Sequence, residues 1–288
     1  PAINAGRSVL LFGPPGNGKT TIATRIADLF KGEIYIPHAF EVGNQIVKVF
    51  DSSIHKRSLS EEESQSLSKA TGVQIEGFDD RWVACRRPVV IVGGELTLDM
   101  LDLQYDDNTK FYDAPAHIKA LNGIFVIDDF GRQHVAPEEL LNRWTVPMEN
   151  RVDYFKLRSG ERFRLPFDEL VLFSTNLNPA ELMDAAFLRR VPYKIKLTAP
   201  PVDEFRRIFE ATAQKRGLEL TDEVFDFVID LLTRRHAFGL AYFQPNFICE
   251  QAVLMCQSLG VPPALTRELA AEALANLYVE LEEEATSS

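Results

Sequence analysis

"GPPGNGKTT", Gly13 to Thr21, is the stretch whose reading decides the fold. It fits the spacing GxxxxGK[ST], follows the apolar run SVLLF (8–12), and precedes a segment in which Ile22, Ile26 and Leu29 share one helical face. A strand, a glycine-rich turn and a helix in that order make a phosphate cradle. Gly13, Gly16 and Gly18 let the backbone bend with its N–H groups inward, and the new helix adds the positive end of its dipole. Pro14, Pro15 and Asn17 complete the loop and Thr21 closes the stretch. Lys19 is expected at the β and γ phosphates of a nucleotide, with the Thr20 hydroxyl as a Mg²⁺ ligand.

The runs PVVIV (88–92), GIFVIDD (123–129), LVLFST (170–175) and YKIKL (193–197) repeat the character of SVLLF. Continuous apolar strands separated by helical patterns predict a parallel sheet covered on both faces, hence an α/β fold. Past APPVDEF (199–205) the strands stop, and 202–216, 221–236, 245–259 and 263–283 carry helical spacing. Thr221 is placed to cap the second of these, Gly217 and Gly260 to end helices, and Pro245 to open one. The expected division is an α/β nucleotide-binding domain over 1–199 and a small all-helical lid over 200–288, joined at Pro200 and Pro201. Two insertions interrupt the first: the Ser/Glu-rich 58–72, read as a surface loop, and 152–166, two strand-like runs around RSGE that signal a hairpin.

A phosphate loop alone leaves kinase, GTPase, motor and switch open. GIFVIDD narrows the choice, because its apolar run ends in Asp128, placed to hold a magnesium shell, and Asp129, placed to orient an attacking water as general base.

Composition excludes several classes. The 288 residues are 45% hydrophobic, enough for a sizeable core, and no apolar run approaches the length of a membrane span. The start PAINAGRSV lacks a signal-peptide layout, so a cytoplasmic protein is expected. A net charge of −11 offers no global basic field for nucleic acid. Cys85, Cys249 and Cys256 form no CxxC pair, and the five histidines show no metal spacing.

The order of these segments resembles AAA+ ATPases. The phosphate loop, the strand ending in Asp128 and Asp129, LVLFSTN and DAAFLRRVPYKI occur in that family's sequence, and the hairpin before LVLFSTN is similar to MoxR-like members of the pre-sensor-1 hairpin group. The resemblance implies ATP with Mg²⁺ as the nucleotide, and an NKxD guanine signature is absent. It implies Asn176 as a polar sensor of the γ-phosphate, and Arg189 or Arg190 as an arginine finger reaching a neighbouring subunit's nucleotide. It further implies a homo-oligomeric ring, a hexamer in many relatives, that hydrolyses ATP to remodel a protein client. An ATP-gated scaffold with little turnover is the alternative, and a DNA motor or loader the third reading.

The chain departs from that family twice. Asp129 stands where Glu is usual, one C–C bond shorter by roughly 1.5 Å. Asn246, in FQPNFI, stands where a lid arginine is usual, leaving Arg234 or Arg235 as substitutes. The basic cluster RWVACRRP (81–88) is read as a partner contact or a solvated loop leading into a strand. Phe111 and Tyr112, in a segment read as a linker, are either pore-facing aromatics or core, and His134 is read as structural.

Overall fold

A computed structural model describes residues 8–28, 32–58, 79–235 and 239–278. The insertion read at 58–72 falls outside them apart from Ser58, as do the acidic C-terminal residues. The chain divides into two compact units, one ending at Lys196 but without Pro14–Gly18, the other comprising Pro14–Gly18 and the residues from Leu197.

The first unit is built on five parallel strands: β1 (Val9–Phe12), β6 (Val89–Val92), β9 (Ile124–Ile127), β12 (Leu170–Thr175) and β13 (Tyr193–Lys196). They lie in the order β13-β1-β12-β9-β6. All five are the apolar runs read from the sequence. Central position explains their composition: every residue of β9 and β12 is buried, whereas the edge strand β13 has exposed residues. Alternate residues serve opposite faces. Leu10, Phe125, Ile127, Val171 and Phe173 join one core with Trp144 and Phe167, and Val9, Leu11, Ile124, Val126 and Leu172 join the other with Ala23 and Ile26 of α1 (Lys19–Asp28).

Two further sheets belong to this unit. β2 (Glu33–Pro37) pairs antiparallel with β5 (Trp82–Arg86), and β3 (Ala39–Val42), β4 (Gln45–Lys48), β7 (Gln104–Asp106) and β8 (Phe111–Asp113) form the order β3-β4-β8-β7. These were not expected, and two readings change with them. RWVACRRP is not a loop: residues 82–86 are a strand with Val83 and Cys85 inward and Trp82 outward. Phe111 and Tyr112 lie on a strand, not a linker; Tyr112 is in a hydrophobic core and Phe111 is exposed.

The hairpin read at 152–166 forms as β10 (Val152–Lys156) and β11 (Arg162–Pro166), paired from Val152↔Pro166 to Lys156↔Arg162. It follows α3 (Pro137–Asn150), which ends because Arg151 turns left-handed at φ 58°. Asp153 on β10 is anchored beneath it. Its carboxylate accepts from His117 Nε2 (2.9 Å), on α2 (Ala116–Lys119), and from both terminal nitrogens of Arg143 on α3 (2.8 and 3.0 Å).

The second unit carries α6 (Val202–Lys215), α7 (Asp222–Asp230), α8 (Gln244–Leu259) and α9 (Arg267–Leu277), preceded in the chain by α4 (Pro179–Leu182) and α5 (Ala185–Arg190) of the first. Phe205, Phe209, Phe225, Val228, Ile248 and Ala273 share its core. Thr221 caps α7 by accepting from the Val224 amide, and Gly260 ends α8 at φ 68°. Two helices are shorter than their periodicity. Residues 231–235 after α7 loosen into a π turn, and α9 begins at Arg267, where Thr266 accepts from the Leu269 amide, instead of at 263.

Candidate functional site

β12 lies between β1 and β9, so the carboxyl ends of three adjacent parallel strands meet at one edge. The register sets Phe12 level with Thr175, while Ile127 is level with Phe173, so β9 stops two residues short of the end of β12. Gly13, Asn176 and Asp128 are the next residues out, at the edge where open α/β sheets bind ligands.

On the β1 side, Gly13, Gly16 and Gly18 have φ of 142°, 75° and 77°, a backbone path that L side chains resist. The Gly13 amide donates to Thr175 O at 3.3 Å, and Lys19 Nζ donates to Gly13 O at 3.0 Å, closing the loop on itself. Lys19 is only 7% exposed. Burial lowers its pKa, and the charges of Asp129 and Asp128 oppose that shift. The ammonium is thus a desolvated cation facing two acids. Thr20 Oγ1 donates to Asp128 Oδ2 at 2.7 Å, joining the first turn of α1 to the end of β9. Within the loop Asn17 is 4% exposed, and neither its Nδ2 nor its Oδ1 has a hydrogen-bond partner.

On the β9 side, the Asp129 amide donates to Asp128 Oδ1 at 3.1 Å. Asp129 takes φ 48°, a left-handed conformation that Asp tolerates better than most residues, at about 1–3 kcal/mol when the surroundings enforce it. Asn176 Nδ2 donates to Asp129 Oδ1 at 3.3 Å, while Asn176 Oδ1 is buried without a partner. The turn is also sewn to β12: Phe130 N donates to Ser174 O (2.7 Å) and Thr175 Oγ1 to Phe130 O (2.7 Å).

The structure therefore brings Lys19, Thr20, Asp128, Asp129 and Asn176 together, and it separates the two arginines from each other in character. Arg190 is bound within its own chain, Nε to Glu149 Oε1 at 2.7 Å. Arg189 is exposed and has no hydrogen-bond or ion-pair partner among the described residues. Both sit at the end of α5, whose start is capped by Asp184 accepting from the Phe187 amide.

Other sequence candidates resolve individually. Asn246 accepts at 2.9 Å from Arg216, the residue just past the end of α6 and an arginine the sequence reading passed over, whereas Arg234 is exposed beside Asp230 and the Arg235 side chain lies outside the described residues. His134 is exposed. The three cysteines are buried free thiols, and no group of three or more His, Cys, Asp or Glu residues able to hold a metal occurs among the described residues. Asp128 with Thr20 is a sparser, two-oxygen arrangement. Gln133 was also missed. Its Nε2 donates to Asp128 O at 2.9 Å and its Oε1 accepts from Gly131 N at 2.8 Å. No described helix is long and apolar enough to cross a membrane.

Comparison with known proteins adds the following. Residues 9–73 match the model of the ATPase family associated with various cellular activities (AAA), and residues 201–276 match a domain of unknown function, DUF8689. No curated protein sequence matches. Among solved structures, NtrX from Brucella abortus is similar over 98% of this chain and 53% of its own, at 14% identity and a TM-score of 0.55. NtrX from the same organism in complex with ADP is similar over 93% and 50%, at 15% identity and a TM-score of 0.54. The Thermotoga maritima RuvB Holliday junction branch migration motor covers 96% and 64%, at 15% identity and a TM-score of 0.48. This chain spans about half the length of the NtrX chains. The fold is a P-loop NTPase parallel-sheet core of the AAA+ type followed by a helical region.

Proposed function

We propose that this protein binds Mg·ATP at the edge formed by β1, β12 and β9 and hydrolyses its β–γ anhydride. The observation that carries the proposal is the 2.7 Å bond from Thr20 to Asp128, which sets two hard oxygen donors side by side at the mouth of the phosphate loop. Those residues fit magnesium, which when bound there would neutralise charge on the phosphate oxygens. The loop fits a polyanion: Lys19 is a desolvated cation, and the Asn17 amide is buried with its hydrogen bonds unmade.

The roles follow from position. The loop amides from Gly16 to Thr21 and the Lys19 ammonium hold the β and γ phosphates, Pro14 and Pro15 having no N–H to offer. Asp129 accepts a proton from the attacking water, and Asn176, whose amide already reaches Asp129, orients that water and reads the γ-phosphate. Arg189 acts on the nucleotide of a neighbouring subunit. Its lack of an intrachain partner supports this, and its neighbour Arg190, held by Glu149, is the weaker candidate for that role. An arginine acting in trans needs a neighbouring subunit, hence a nucleotide-dependent homo-oligomeric ring, and the resemblance to AAA+ proteins supplies a hexamer as its expected size. The β10–β11 hairpin between α3 and β12 supports placement beside the MoxR-like, pre-sensor-1 hairpin proteins, and through them a chaperone-like role on a protein client.

One observation favours a second reading, an ATP-gated scaffold with little turnover: the acid at 129 is Asp, one methylene short of the usual Glu. ADP formation by the parent and by Asp129→Asn, with sizing with and without ATP, separates the two. Hydrolysis requires the parent to exceed the variant clearly; equal turnover with ATP-driven assembly selects the scaffold.

A further inference from the structure

We infer that Gln133 is the positioning residue of the acid pair and the reason an aspartate at 129 is serviceable, an inference that rests on the ATPase reading above. Four hydrogen bonds converge on this one side-chain amide. The two Nε2 hydrogens are shared among Asp128 O (2.9 Å), Asp129 O (3.2 Å) and Gly93 O (3.3 Å), and Oε1 accepts from Gly131 N (2.8 Å). The turn from Asp128 to Gly131 is thus wrapped around Gln133, and Gly93, just past the end of β6, ties it to the neighbouring strand of the sheet.

The strand-side bonds of this turn fall on Asp128 N and Phe130, and the carbonyl of Asp129 and the amide of Gly131 are met by Gln133. Asp129 at φ 48° and Gly131 at φ 99° are two left-handed residues within three, and only Gly131 adopts such a backbone without strain. Turning Asp129 left-handed changes the direction in which its Cα–Cβ bond leaves the chain. In that conformation its carboxylate reaches the Asn176 amide at 3.3 Å despite its short side chain. The length missing from the side chain is compensated by the backbone, and Gln133 holds the backbone there. Gln133 bonds only main-chain atoms of this turn and of Gly93, and it makes no hydrogen bond to Lys19, Thr20 or Asn176, so its effect falls on the acid pair and spares the phosphate loop.

The test measures steady-state phosphate release and melting temperature for the full chain as parent, Gln133→Met, Asp129→Glu and the double variant. Gln133→Met keeps the side-chain length and removes all four hydrogen bonds. The expected result is a fall in kcat of about 10–100-fold, the scale of a misplaced catalytic group, with the KM for ATP unchanged. In the Gln133→Met background the longer acid of Asp129→Glu is expected to recover part of that loss. A parent that turns over while Gln133→Met matches its kcat overturns the inference. So does a loss that appears in KM instead of kcat, or one that Asp129→Glu does not relieve. A parent with no turnover above that of Lys19→Ala overturns the ATPase reading, and this inference falls with it.

Discussion

Replacing Asp153 by alanine tests how the hairpin is fastened to the sheet domain. Asp153 is 1% exposed, and its two oxygens accept from His117 and, bidentately, from Arg143. Burial alone would raise its pKa, but the hydrogen bonds from His117 and Arg143 outweigh burial and hold it below the ordinary carboxylate value. Burial also lowers the His117 pKa, against the pull of Asp153, so the imidazole is neutral and donates from Nε2 while Arg143 supplies the compensating charge. Alanine would leave the His117 N–H without its acceptor and the Arg143 guanidinium with only the longer bonds to Asp102 Oδ1 and Leu101 O, both 3.3 Å. Removing one partner of a buried pair costs about 3–5 kcal/mol. For a unit of this size, about 2–4 °C per kcal/mol, that is a fall in Tm of about 6–20 °C at neutral pH. The sign with pH follows from the depressed Asp153 pKa: the carboxylate's contribution is complete above the unfolded value of about 3.9 and is lost as pH falls through the folded one. The gap in Tm between parent and Asp153→Ala, measured by circular dichroism, should therefore be full at pH 7 and close in strong acid. A gap under about 1 kcal/mol at pH 7, the scale of an exposed pair, would refute the buried-anchor argument.

Four further outcomes are expected. Thr20→Ala removes the oxygen that meets Asp128 and should raise the Mg²⁺ concentration needed for half-maximal turnover by about 10–100-fold, read from a magnesium titration of phosphate release. Arg189→Ala should lower turnover of the assembled protein by about 10³–10⁵ if it is a finger acting in trans, and mixing Arg189→Ala with Lys19→Ala subunits should restore part of it. Arg190→Ala breaks only a half-exposed pair with Glu149 and should cost under about 1 kcal/mol of stability. Glu169 is fully buried with both carboxylate oxygens unpartnered, and burial raises its pKa well above the ordinary value. A carboxyl raised in this way contributes stability below its unfolded pKa of about 4.3 and loses it as pH climbs towards the folded one. Glu169→Gln should accordingly match the parent in Tm near pH 4 and exceed it at pH 8.

The five core strands are legible in the sequence because they are buried on both faces or nearly so, and a run such as LVLFST needs no periodicity to be read. The smaller sheets are not, because they are short and half-exposed. EIYIP alternates outward Glu33 and Tyr35 with inward Ile34 and Ile36, and three- to five-residue alternations of this kind do not stand out from loops. One signal was present: Gly43 and Asn44, at φ 54° and 59°, make the two-residue turn between Val42 and Gln45 that this dipeptide favours. Of the site, Lys19, Thr20 and Asp128 are legible from motif spacing and strand ends. Gln133 is not, since its role is to hydrogen-bond main-chain atoms at 93, 128, 129 and 131, and no spacing rule selects a glutamine for that. Nor does sequence tell Arg189 from Arg190; only the position of Glu149, some forty residues away, does so.

The central claim is that the loop closed by Lys19 holds the phosphates of an ATP that is hydrolysed. Steady-state phosphate release by the parent and by Lys19→Ala, with and without Mg²⁺, tests it most directly. The account predicts magnesium-dependent release by the parent and release at the uncatalysed level from Lys19→Ala. A Lys19→Ala protein that hydrolyses ATP as fast as the parent would contradict it.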